Sequence, residues 1–175
     1  MAGKQKPNLF EIKMLVVDVD GVLTDGTIII NADGSESKNF STLDGHGISM
    51  WKRAGLKVAI LSGRFSTPVE HRVKQLQIDH CLQDCHDKLP ALKELLSETG
   101  INASEVAFVG DDLPDVPVMR YVGFAAAVAN AQEQVKEHAH YITIRKGGSG
   151  AVREVIDYIL KETGRWPQVT QRYFS

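Results

Sequence analysis

Val16-Val17-Asp18-Val19-Asp20-Gly21 drives an apolar run into two aspartates one residue apart, followed by a glycine. Residues i and i+2 of an extended segment point to the same side, so Asp18 and Asp20 are expected to project together from the end of a buried strand. Two carboxylates about 4 Å apart repel by roughly 4 kcal/mol at an effective dielectric near 20, so a cation must sit between them or one must hold a proton. Unusual residues recur after later apolar runs: Ser62-Gly63-Arg64, then Asp87-Lys88, then Gly110-Asp111-Asp112-Leu113-Pro114-Asp115. Aspartates from separate loops supply hard oxygen ligands that suit Mg²⁺. Ser62 offers a hydroxyl and, with Gly63 beside it, close backbone N–H groups for a phosphoryl oxygen. Lys88 adds a compact positive charge, and Arg64 a planar fork suited to carboxylate or phosphate. Any one of these alone reads as a helix cap; together they describe phosphoryl transfer.

Convergence requires a frame. Apolar strands alternate with helical patterns, which predicts an α/β fold with a doubly wound, Rossmann-like parallel sheet and helices on both faces. The strand candidates are 12–18, 56–61, 80–83, 106–109, 124–128 and 141–144, and ligands in such a sheet bind beyond the carboxyl ends of the strands. Thr67-Pro68-Val69-Glu70 reads as N-cap, Pro at N1 and Glu at N3; Asp87 opens a further helix that Gly100 closes, Asn130 is a candidate cap, and 151–161 is amphipathic. The segment 27–40 breaks the alternation, with an Asp33-Gly34 turn between two extended runs, and reads as a β-hairpin. Two strands cannot bury Ile28-Ile29-Ile30, so either the chain itself or hairpins of other subunits must cover them.

With 175 residues, 43% hydrophobic and 24% charged, the chain fits one globular domain over 1–175. A formal charge of −2 gives no electrostatic case for nucleic acid or an anionic membrane. The polar start, residues 1–7, has no apolar leader core, and no run is long enough to span a bilayer, so a cytoplasmic protein is expected. His80-Cys81-Leu82-Gln83-Asp84-Cys85-His86 superficially offers zinc ligands, but structural zinc sites usually join ligand pairs from separate segments. The alternative is Cys81 facing the core from a strand, with Cys85 and the histidines in its outgoing loop.

The ordered set Asp-x-Asp-Gly-Val-x-Thr-Asp-Gly, Leu-Ser-Gly-Arg, a lysine before a helix and Gly-Asp-Asp-x-x-Asp resembles the haloacid dehalogenase superfamily of phosphatases over nearly the whole chain. The resemblance implies that Asp18 is a nucleophile forming an aspartyl-phosphate, and that Asp20 serves as general acid and base. Ser62 would hold the phosphoryl group and Lys88 would neutralise nucleophile and phosphate. Asp18, the backbone carbonyl of Asp20 and Asp111 would hold Mg²⁺, with Asp112 and Asp115 in support.

No cap-domain insertion separates the motifs; the hairpin stands in its place. This narrows the resemblance to the capless branch typified by 3-deoxy-D-manno-octulosonate 8-phosphate phosphatases. Asp44-Gly45-His46-Gly47-Ile48 and Gly147-Gly148-Ser149-Gly150-Ala151-Val152-Arg153-Glu154 are similar to further motifs of that branch. It implies a sugar-acid phosphate substrate from lipopolysaccharide precursor synthesis, a homotetramer built through the hairpins, and substrate contacts from Thr24, Gly63, Arg64 and Arg72. Arg64 is the candidate for a substrate carboxylate. The tail, 164–175, would either cover a neighbour's site or dock on its own chain. Alternatives are a nonulosonate 9-phosphate or promiscuous sugar phosphatase, a receiver-type signalling domain, and a non-catalytic oligomerisation domain. The position of Asp-x-Asp after the first strand disfavours a receiver, and the intact Asp18, Asp20, Lys88 and Asp111 disfavour a scaffold.

Overall fold

In the computed structural model, residues 7–175 are described; all but the last of the polar N-terminal stretch lies outside them. The elements in chain order are β1 (Met14–Val17), β2 (Ile29–Ile30), β3 (Glu36–Ser37), α1 (Thr42–Arg53), β4 (Lys57–Leu61), α2 (Thr67–Leu76), β5 (His80–Leu82) and α3 (Lys88–Thr99). They continue as β6 (Val106–Gly110), α4 (Val116–Met119), β7 (Phe124–Ala127), α5 (Glu133–Lys136), β8 (Tyr141–Ile142), α6 (Ala151–Glu162) and α7 (Trp166–Thr170).

A 6-stranded sheet runs in the order β5-β4-β1-β6-β7-β8, and every pairing within it is parallel. Its central strands are continuous apolar runs because both faces are covered: all residues of β1, β6 and β7 are buried. Helix α1 packs along α6, while α3 packs against α4. Trp51 anchors α1; its ring is fully buried and its indole N–H donates to the Lys57 carbonyl at 2.8 Å. Chain order reverses at β1, whose carboxyl end therefore opens the crevice where such sheets take ligands.

Every expected strand is present, and the hairpin forms a separate antiparallel pair, with Ile29 opposite Ser37 and Ile30 opposite Glu36. Three local expectations are corrected. Ser66, not Thr67, precedes α2, because Ser66 is extended and its N–H is held by the Gln83 side chain at 2.9 Å. Gln132 rather than Asn130 precedes α5, and the Asn130 side-chain Oδ1 instead accepts from the Gly147 N–H at 2.9 Å. Cys81 is exposed, since β5 is an edge strand on which Leu82 takes the core-facing position; Cys85 is the half-buried cysteine that packs on the core.

The tail docks on its own chain. Val169 is buried, Arg53 donates to the Val169 carbonyl at 3.2 Å and to the Tyr173 hydroxyl at 2.9 Å, and Tyr173 meets His46 at 3.1 Å.

Candidate active site

The loop after β1 is wound tightly around the Val19 carbonyl, which accepts from the N–H groups of Val22, Leu23 and Thr24. Thr24 is buried, and its hydroxyl donates to the same carbonyl at 3.3 Å while accepting from Gly26 at 3.2 Å and Gly21 at 3.4 Å. Gly21, at φ +86°, adopts a backbone that favours glycine, and a Cβ there would overlap the Asp111 carboxylate. The turn is thus shaped to let Asp111 approach Asp18.

Lys88, the first residue of α3, is buried with its Nζ 2.9 Å from Asp18 Oδ1 and 2.6 Å from Asp115 Oδ1. The other Asp115 oxygen accepts from the N–H groups of Asp111 at 2.9 Å and Asp112 at 3.2 Å, so Asp115 fixes the loop after β6. Asp112 caps that loop through Leu113 at 2.8 Å and is itself exposed. Asp18, Asp111 and Asp115 place carboxylate oxygens within 4.8 Å of one another.

Burial, reinforced by the charge of Asp115, pushes the Asp18 carboxyl up to about 7 despite Lys88. Asp111 is pushed up to about 8, chiefly by burial and then by Asp18 and Asp115. For Lys88, burial acts downward, but Asp18 and Asp115 outweigh it and raise its proton affinity. Among the described residues, Asp111 Oδ1 is buried without a hydrogen-bond partner. A buried, unpartnered carboxylate oxygen beside other carboxylates is the environment of a hard divalent cation, and the all-oxygen donor set suits Mg²⁺.

Ser62 is buried in the loop after β4, its N–H bonded to the Leu82 carbonyl at 2.9 Å and its carbonyl to the Cys85 N–H at 3.0 Å. The cysteine-bearing segment therefore braces the Ser62 turn. Gly63 follows, and Arg64 projects its guanidinium to Asp20 Oδ2 at 3.3 Å and Glu36 Oε1 at 3.2 Å. Asp20, expected to project with Asp18, is not among the carboxylates that gather as Asp18, Asp111 and Asp115; its Oδ1 instead lies 2.5 Å from Lys38 Nζ. Burial works against ionisation of Glu36, but Ser66, Lys38 and Arg64 together hold it below the ordinary range.

A sequence model of the haloacid dehalogenase-like hydrolases matches residues 82–156. The 3-deoxy-D-manno-octulosonate 8-phosphate phosphatase KdsC of Yersinia pestis is 46% identical over 149 residues, 85% of this chain and 80% of that protein. The same enzyme of Escherichia coli K12 is 44% identical over 88% of this chain and 82% of its own. The chain belongs to the haloacid dehalogenase-like phosphatases of the KdsC family. A Moraxella catarrhalis KdsC-family structure, containing magnesium, phosphate and KDO, superimposes with a TM-score of 0.92 at 42% identity, covering 94% of this chain and 95% of that one. A probable YrbI family phosphatase from Pseudomonas syringae gives 0.93 at 48% identity, with 95% of each chain covered.

In this phosphatase the four motif loops meet at one sheet edge, and two residues expected to contact substrate are engaged by groups of their own chain. The Thr24 hydroxyl is taken up by its own loop. Arg72 donates to the Ser41 carbonyl at 3.1 Å and Gln75 at 2.7 Å and lies over the Phe40 ring, lining a 380 Å³ groove with His46, Arg53 and Tyr173. The Cys81–Cys85 segment contributes no metal-binding group among the described residues.

Two features escaped the sequence reading. Lys38, whose side chain is 1% exposed, enters the site from the hairpin; the Glu36-x-Lys38 spacing, which sets both on one side of a strand, was its only signal. Asp44 on α1 accepts from Gly150 N–H at 3.3 Å and Arg153 N–H at 2.8 Å, capping α6 from across the fold. That contact joins the two branch-specific motifs, and a Cβ on Gly147 would collide with the Gly21 carbonyl.

Proposed function

We propose that this phosphatase is a cytoplasmic, Mg²⁺-dependent enzyme that hydrolyses 3-deoxy-D-manno-octulosonate 8-phosphate to 3-deoxy-D-manno-octulosonate and phosphate, in lipopolysaccharide precursor synthesis. The observation that carries the chemistry is buried Asp18, held by Lys88 and facing Asp111 at the carboxyl end of the central strand. The names of relatives 44–46% identical over most of the chain support the substrate. No described helix is long and apolar enough to cross a membrane.

In the first step an Asp18 oxygen attacks phosphorus, the bond from phosphorus to the sugar oxygen breaks, and Asp20 gives its proton to the departing alkoxide. Lys88 neutralises Asp18 and the incoming phosphoryl group, and Ser62 and the Gly63 backbone hold its peripheral oxygens. In the second step Asp20 takes a proton from water, which attacks phosphorus and frees Asp18 and inorganic phosphate. Asp18, Asp111 and the Asp20 carbonyl would hold Mg²⁺, which when bound would supply positive charge against the phosphoryl oxygens and relieve the repulsion among the carboxylates. Arg64 reads the substrate carboxylate by exchanging it for Asp20 and Glu36. The hairpin, with Ile28 51% and Ile30 63% exposed, joins copies of the chain into a tetramer.

The test is a phosphate-release panel with and without Mg²⁺ on octulosonate 8-phosphate, nonulosonate 9-phosphate and simple hexose phosphates. Mg²⁺-dependent release that favours the octulosonate is expected. Preference for either other class overturns the substrate, and release without Mg²⁺ overturns the metal assignment.

A further inference from the structure

Burying a lysine side chain to 1% exposure on a hairpin outside the main sheet is costly unless the ammonium has a fixed task. Lys38 Nζ meets Asp20 Oδ1 at 2.5 Å and Glu36 Oε1 at 3.2 Å; Arg64 meets the second Asp20 oxygen and the same Glu36 oxygen. Asp20, Lys38, Glu36 and Arg64 thus form a closed ring of alternating charge, in which each Asp20 oxygen has one cation. The two cations are not equivalent. The Arg64 side chain is 43% exposed and can trade partners, whereas Lys38 is enclosed and cannot.

We infer that Lys38 is a positioning residue for the reaction: it pins Asp20 Oδ1, so that Oδ2 is the oxygen presented to the leaving group once Arg64 has turned to the substrate. This rests on the reading of Asp20 as the proton donor to that group. An enclosed ammonium bound to one oxygen of a carboxylate and anchored to Glu36 restricts that carboxylate's rotation, and sub-ångström placement of a proton donor is a large part of its catalytic value. The hairpin then has a chemical duty as well as an architectural one, because it alone delivers Lys38 and Glu36 to the site.

Leaving-group dependence separates positioning from general structural damage. Expelling a sugar alkoxide requires proton donation, whereas p-nitrophenolate departs readily without it. Measured as single-turnover transfer of the phosphoryl group to Asp18, before Asp20 acts on water, Lys38→Met should slow the sugar-acid phosphate by about 10²-fold, slow p-nitrophenyl phosphate far less, and be partly rescued by Lys38→Arg. Asp20→Asn should show the same bias. In the wild-type protein a slowly exchanging Lys38 ammonium resonance is expected by NMR, lost in Asp20→Asn. Equal losses on both substrates in Lys38→Met, or an ammonium signal indifferent to Asp20→Asn, overturn the assignment while Asp20 keeps its role. Absence of bias in Asp20→Asn itself overturns the underlying mechanism, and the Lys38 assignment with it.

Discussion

Lys88 donates to Asp18 across 2.9 Å while bonded to Asp115 at 2.6 Å, so one buried ammonium ties the proposed nucleophile to the loop that shapes the metal site. Removing it leaves two buried carboxylates without their cation. Lys88→Met should therefore reduce kcat by about 10²–10³-fold and destabilise the protein by about 3–5 kcal/mol. Phosphate-release kinetics and urea denaturation measure the two effects; a variant with near-native kcat would refute the role of Lys88.

The carboxylate cluster sets the pH response. Asp18 and Asp111 hold protons up to about 7 and about 8, above the ordinary 3.8 of an unfolded chain, so their contribution to stability is complete below about pH 3.8 and is lost as pH rises through those values. The metal-free protein should melt at progressively lower temperature from about pH 4 to pH 8, and Mg²⁺ should raise the melting temperature most at the alkaline end. Asp111→Asn should flatten the metal-free profile. Calorimetry in chelator and in Mg²⁺ tests this, and a pH-independent Mg²⁺ stabilisation would contradict it.

Arg64 is the exchangeable cation of the site. If it reads the substrate carboxylate, Arg64→Ala removes a charge-assisted hydrogen bond worth about 1.5–3 kcal/mol, or about 10–150-fold in kcat/KM for the sugar-acid phosphate. An aryl phosphate without a carboxylate should be hydrolysed at close to the original rate. Equal losses on the two substrates would remove the specificity role.

Ile30 stands at the exposed end of β2. Ile30→Glu places a charge in any interface formed by the hairpins and should shift the assembly toward monomer in light scattering. An unchanged mass would place the subunit contact elsewhere.

Asp44→Ala deprives the Gly150 and Arg153 N–H groups of their acceptor. The expected cost is about 1–3 kcal/mol, with faster hydrogen exchange at Gly150 and Arg153. Asp44→Asn, which keeps an acceptor oxygen, should cost less. Unaltered exchange at both amides would show that the cap is dispensable.

The sheet was legible because its strands are continuous apolar runs, and the motif loops because their carboxylates end those runs. Lys38 was not, since a lysine on a hairpin looks like any solvated charge until Asp20, 18 residues away in sequence, is brought against it. Arg64 read as an open fork for the same reason: its carboxylate partners come from other segments. Cys81 read as inward because the pattern of a short strand does not reveal which face an edge position leaves uncovered. Asp44 and Arg153 announced themselves only as motif members, their hydrogen bond spanning 109 positions.

The turn holding Asp18 and Asp20 leans on Gly147 and Gly148, which meet the Gly21 and Thr24 backbone. During synthesis the first reactive loop to leave the ribosome therefore waits for the last quarter of the chain before it has its final shape. An unfinished chain carries every aspartate of the metal cluster, yet lacks the wedge that sets their spacing.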